Sequence, residues 1–104
     1  MAGEAKMEWL MDQSIRPDAN MSLARMTVPV DVTSERHFHS NTTETIHVLR
    51  GQIEQYIGDK RIVMGPGDTC FIPKAVAHHT RNISSEDAIM MVSYASGTRN
   101  YQRA

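Results

Sequence analysis

Two histidines one residue apart, His37 and His39, are followed by Glu44 after a short polar run, Ser40 to Thr43. In an extended strand alternate side chains share a face, so both imidazoles would point the same way from attachment points about 6.7 Å apart. Such a pair can converge on one ion. Ser40 to Thr43 reads as a turn, and Glu44 opens the next apolar run, so the stretch reads as a metal site built across two adjacent strands. A further ligand has to come from elsewhere, and His78 is the candidate. It follows Ile72-Pro73-Lys74-Ala75-Val76-Ala77, a bend that would swing a new strand back.

The elements that must hold these residues are strands. Lys6 to Met11 can form one, with Ser14-Ile15-Arg16 continuing it after a break, and Arg16 to Asn20 is a turn by composition. Ser22 to Val30 alternates, with Ala24, Met26 and Val28 on one face, and Pro29 confines it to an edge or an end. Arg36 to His39 and Thr43 to Arg50 come next, the latter with Glu44, Ile46 and Val48 on one face. Gln52 to Ile57 and Lys60 to Met64 flank a tight Gly58-Asp59 turn, and Gly65-Pro66-Gly67-Asp68 marks another. Thr69 to Ile72, His78 to Asn82 and Ala88 to Tyr94 complete the set, and the polar tail from Ala95 docks or frays. No stretch sustains a 3.6-residue period. Short strands between turns mean an all-β sandwich or barrel.

At 104 residues the chain is expected to be one domain with one core. Its 11 basic and 12 acidic residues give a net charge of −1, no electrostatic basis for nucleic acid or anionic membrane as partners. One cysteine allows no intramolecular disulfide. No apolar run reaches membrane-spanning length, and residues 1–7 have no apolar signal core. The expectation is a cytoplasmic protein.

The spacing His37-x-His39-x4-Glu44-x6-Gly51 resembles the first motif of the cupins, and Gly67-x5-Pro73-x4-His78-x3-Asn82 resembles the second. HxH alone would be a weak signal, but here two separate blocks agree in register. In two places the chain departs from the pattern: Asp31 and Ala75 stand where glycines shape the family's loops. The resemblance implies a single double-stranded β-helix (jelly-roll, or cupin barrel) of six to eight strands. Residues 21–95 would form it, residues 1–20 an N-terminal strand or arm able to form a dimer, and residues 96–104 a C-terminal tail. It also implies a homodimer and His37, His39, Glu44 and His78 as metal ligands.

Three neutral imidazoles and one carboxylate would leave a divalent ion with a net charge of about +1 and open positions for water or substrate. Imidazole suits Fe, Ni, Cu and Zn, and the carboxylate widens tolerance to Mn. A structural zinc site would instead close its four positions with cysteines and histidines.

His79 should face away from His78, as an exposed or interface residue, unless the register shifts and His79 binds instead. His47 falls on the outer face of its strand. Cys70 alternates with Ile72 and reads as a buried, unreactive thiol. Met26, Met90 and Tyr94 are candidates for the substrate pocket. Gln55 and Tyr56 lie on opposite faces, Arg25 opposes Met26, and Asn82 reads as a turn-fixing residue.

The functional expectation is a metalloenzyme acting on a small organic acid, diketone or phenolic compound, with the non-haem dioxygenase type favoured. The alternatives are a non-redox isomerase, decarboxylase or lyase, and a non-catalytic small-molecule-binding module.

Overall fold

The computed structural model describes residues 4–104, so residues 1–3 of the expected N-terminal arm lie outside the described residues. Ten strands follow in order: β1 (Lys6–Met11), β2 (Ser22–Val28), β3 (His37–Phe38), β4 (Glu44–Arg50), β5 (Ile53–Ile57), β6 (Lys60–Met64), β7 (Thr69–Ile72), β8 (His78–Asn82), β9 (Ala88–Tyr94) and β10 (Gln102–Arg103). Eight have four residues or more, and β3 and β10 have two each. They form two five-stranded antiparallel sheets, ordered β1-β2-β9-β4-β7 and β10-β3-β8-β5-β6. This is the all-β double-sheet jelly roll anticipated from the chain. Among the described residues no helix is long and apolar enough to cross a membrane.

Period-two alternation builds the core. Ile46 and Val48 of β4, Ala88, Met90 and Val92 of β9, and Val28 of β2 point inward from one sheet. Ile53 and Met64 meet them from the other. Each fully buried branched aliphatic side chain contributes about 1.5–3 kcal/mol. The same inward face of β4 and β9 ends in Glu44 and Tyr94, which pair across the strands. One end of the core is therefore apolar and the other carries a carboxylate and a phenol.

Two local expectations need correcting. Ser14-Ile15-Arg16 does not continue β1, because the Asp12 carboxylate accepts the backbone N–H groups of Ser14 (2.9 Å) and Ile15 (3.2 Å) and closes a turn. β2 stops at Val28 because Pro29 has no N–H to extend the ladder. Of the two outcomes expected for the tail, docking is the one found: Gln102 and Arg103 pair with Phe38 and His37. Asn82 pins its turn as expected, donating to Val28 and Glu86 carbonyls at 2.9 and 2.8 Å while Ser84 N–H donates to its Oδ1.

Among the described residues, Asp31 and Ala75 are the two non-glycine residues with positive φ, 64° and 66°. The loops have thus kept the left-handed backbone of the glycines expected there, at a cost of about 1–2 kcal/mol each. Ala75 N–H donates to the His39 carbonyl at 2.8 Å, which ties this loop to the histidine segment. Gly51 has φ +83°, and a Cβ there would lie 2.9 Å from Ala88 Cα.

These backbone conformations set opposite expectations for two substitutions. Ala75→Gly should raise the unfolding free energy by about 1 kcal/mol, since relief of strain exceeds the added chain entropy. Gly51→Ala should lower it by about 2–4 kcal/mol through strain and backbone contact. Urea denaturation of both variants checks the pair, and a neutral Gly51→Ala would contradict the packing at Ala88.

Candidate metal centre

His37 lies in β3 and pairs directly with His78, the first residue of β8. His39 follows β3 by one residue and turns its ring to the same side, with ring centroids 4.8 Å (His37–His39), 4.3 Å (His37–His78) and 5.2 Å (His39–His78) apart. Glu44 opens β4 in the opposite sheet, between Ile72 of β7 and Tyr94 of β9. Three imidazoles thus project from one sheet and one carboxylate from the other. One donor atom from each residue lies within 4.8 Å of all the others.

The backbone decides which nitrogens face inward. His37 Nδ1 lies 2.7 Å from the Glu35 carbonyl, His39 Nδ1 2.6 Å from that of Asn100, and His78 Nδ1 2.9 Å from that of Val76. A carbonyl only accepts, so each Nδ1 carries a proton, and in the neutral ring each Nε2 keeps a lone pair. His39 Nε2 and His78 Nε2 stand 3.1 and 3.0 Å from Glu44 Oε1. All three atoms are buried without a directional hydrogen bond. Acceptors facing one another at this distance repel unless a cation lies among them. A proton can bridge one such contact, whereas a divalent ion answers all of them at once. The donor set therefore supports one divalent transition-metal ion, with imidazole and carboxylate chemistry open to Fe, Mn, Ni, Zn or Cu.

Burial pushes the His37 imidazole down to about 4, although its bond to the Glu35 carbonyl works the other way. It is neutral at pH 7, as a ligand must be. Burial alone would raise the Glu44 carboxyl; positive charge presented to it at His39 and His78, as a proton on a ring in the metal-free protein, outweighs burial and holds the group down to about 2.

A cavity of about 550 Å³ opens onto these groups, and His37, Glu44 and His78 line it. Met26 and Tyr94 line it too, but Met90 does not. Met90 is covered by Met26 on one side and Val48 on the other, and is fully buried in the core. The tail supplies groups that the strand reading passed over. Asn100 is held by Asn41 and Ser40 and offers its carbonyl to His39. Tyr101 stacks on His37 at 4.4 Å, and its hydroxyl donates to Glu35. The signal that could have found them was the density of polar and aromatic residues in Arg99-Asn100-Tyr101.

The remaining candidates sit elsewhere. His79 faces outward, stacked on Tyr56 at 4.4 Å. His47 shares a hydrogen bond with Thr69. Arg25 pairs with Glu8 on the surface. Gln55 is buried, accepting a hydrogen bond from Thr80. Cys70 is pushed up to about 11, chiefly by burial, and is inert as a nucleophile.

The lowered His37 pKa fixes a pH dependence for the metal-free protein. The unfolded chain takes up a proton near pH 6.5, whereas the folded chain resists until about pH 4. This contribution is complete above pH 6.5 and is lost as pH falls toward 4. The unfolding midpoint should drop across that window, and less steeply in His37→Gln. Parallel curves for the two proteins would contradict the assignment.

The chain matches the family model for the cupin domain over residues 24–94, a span that contains all four donors. An uncharacterized protein of Aquifex aeolicus (strain VF5) is 26% identical over 78 residues, which cover 75% of this chain and 64% of that one. An oxalate oxidase superposes with a TM-score of 0.88 at 23% identity, covering 100% of this chain and 60% of the other. Bacillus subtilis oxalate decarboxylase, a protein with Mn(II) centres, does so with 0.89 at 18% identity, covering 99% and 29%. The chain spans less than two thirds of each of these proteins, and at these identities the likeness to the two enzymes is one of fold. Two sheets, a donor group bridging them and a family match across most of the strands lead to one assignment: this chain belongs to the cupin family.

Proposed function

We propose that the protein is a metal-dependent enzyme acting on a small oxygen-rich organic substrate, with non-haem dioxygenase chemistry favoured. One observation carries the reading. Three Nε2 lone pairs, fixed by Nδ1–H bonds to backbone carbonyls, meet the Glu44 carboxylate beside a cavity. A purely structural site would have no use for that space.

His37, His39, Glu44 and His78 would hold the ion, which when bound supplies Lewis acidity toward substrate oxygens and, as Fe(II), redox capacity. Glu44 remains ionised and offsets part of the ion's charge. Tyr94 lines the same cavity, and burial first, then the Glu44 charge, raises its pKa, so its hydroxyl stays protonated. It is placed to donate a hydrogen bond to a substrate oxygen. Met7, Met26 and Val32 form apolar wall that limits water around the bound molecule.

Fold neighbours named for oxidation and for decarboxylation of oxalate support a small oxygen-rich substrate. The decarboxylase also favours a second reading, non-redox decarboxylation, isomerisation or elimination in the same cavity.

Oxygen uptake tests the proposal. The protein reloaded with Fe(II) is presented with organic acids, diketones and catechols. Oxygen consumption that disappears in His37→Ala is the expected result. Turnover without oxygen transfers the assignment to the non-redox reading, and binding without product rejects an enzyme. For the ligands, His78→Ala should weaken metal binding by at least about a hundredfold, beyond the range of outer-shell substitutions. His79→Ala should leave it unchanged within about twofold, inside the scatter of calorimetric titration, and the reverse pattern would sink the register.

A further inference from the structure

Arg99 is a cation with aromatic neighbours and, among the described residues, no acidic partner. Its guanidinium carbon lies 5.0 Å from the centre of the Trp9 ring and 5.3 Å from the centres of both Tyr94 and Tyr101. Two of these rings also pack on the metal-site imidazoles, Tyr94 against His39 at 5.2 Å and Tyr101 against His37 at 4.4 Å. Arg99 lines the same cavity as His37, Glu44 and His78. Among the described residues it forms no ion pair, whereas Arg25, Arg50, Arg61, Arg81 and Arg103 each have a carboxylate within 3.1 Å. Its Nε is buried with no hydrogen-bond partner.

The acidic groups of the cavity do not answer that charge. Glu44 faces the imidazoles. Glu35 is engaged by Arg103 at 3.0 Å and by the Tyr101 hydroxyl. Glu4 lines the cavity but is exposed and forms no ion pair with Arg99. The cavity therefore holds a guanidinium without a counter-charge, next to a centre that is itself net positive when a divalent ion is bound. Aromatic rings can cover the faces of a guanidinium, but its N–H donors lie in the plane and need acceptors. A carboxylate matches that fork with two parallel hydrogen bonds.

We infer that Arg99 is a carboxylate receptor, so that the substrate is a small organic acid spanning from the metal centre to Arg99. The inference rests on the proposed metal-dependent function and specifies its substrate class. One oxygen-bearing end of the acid faces the imidazole–Glu44 group, and a carboxylate at the other end pairs with the guanidinium. Arg99 acts in binding and selection and takes no part in proton transfer. A guanidinium that only anchored the tail through its rings would be indifferent to the charge of a ligand.

The sole tryptophan, Trp9, packs on Arg99 and reports its occupancy by fluorescence. Zinc binding is measured first by calorimetry and judges the metal reading by itself. Malonate and its uncharged analogue malonamide are then titrated into the zinc-loaded and the metal-free protein. Malonate should change Trp9 fluorescence saturably in the zinc form and bind at least about tenfold more tightly than malonamide, as expected for a charge-assisted pair. Arg99→Gln should remove about tenfold or more of malonate affinity while leaving zinc affinity in place, and Arg99→Lys should restore part of it. If Arg99→Gln does not fold, Arg99→Lys and the malonamide comparison decide. If zinc fails to bind, the metal reading falls, and charge-selective malonate binding to the metal-free protein still supports the receptor. Equal binding of malonate and malonamide, unchanged malonate affinity in Arg99→Gln, or no malonate binding in either form would overturn it.

Discussion

Glu44 meets three imidazoles across the space between two sheets, and both sheets are committed to that contact. Its Oε1 lies 3.0–3.1 Å from two nitrogens that, in neutral imidazoles, have no proton to offer it. An ionised carboxylate this deep costs several kcal/mol unless it is paired. The arrangement is stable only with positive charge among the four donors. A bound divalent ion would supply it, and in doing so would link β4 of one sheet to β3 and β8 of the other. Metal affinity and fold stability are then two readings of one free energy.

The rings are held from behind by three different parts of the chain. Glu35 precedes β3, Val76 lies in the bend before β8, and Asn100 belongs to the tail. Each carbonyl fixes both tautomer and ring direction, so the lone pairs converge before any ion arrives. Such outer-shell bonds carry much of a metal site's precision. The tail has two effects here: Asn100 orients His39, while Tyr101 and Arg99 close one side of the cavity. A segment that resembles a polar terminus in composition is part of the wall.

The strands and the donor set were legible because both rest on short-range rules. Period-two alternation in Ala88–Tyr94 and Glu44–Arg50 marks the buried face directly. His37, His39 and Glu44 are close in sequence, and the Gly67, Pro73 and His78 spacing adds the fourth donor. The roles of Arg99, Asn100 and Tyr101 were not legible, since they depend on pairings about 60 residues apart in the chain, such as Asn100 with Ser40 and His39. Met90 was misplaced for a related reason. Alternation says that a side chain faces inward, but not whether the interior there is packed core or open cavity. Asp31 and Ala75 show the reverse case: neither is a glycine, yet both hold the left-handed backbone that a glycine would adopt more readily.

The most direct test of the central claim is a crystal structure of the zinc-loaded protein, with the ion located by anomalous scattering at the zinc edge. The account predicts one peak per chain, bonded to Nε2 of His37, His39 and His78 at about 2.0–2.1 Å and to a Glu44 oxygen at about 2.0–2.2 Å. A peak bonded through any Nδ1, a peak on His79 in place of His78, or no peak among these four residues would contradict it.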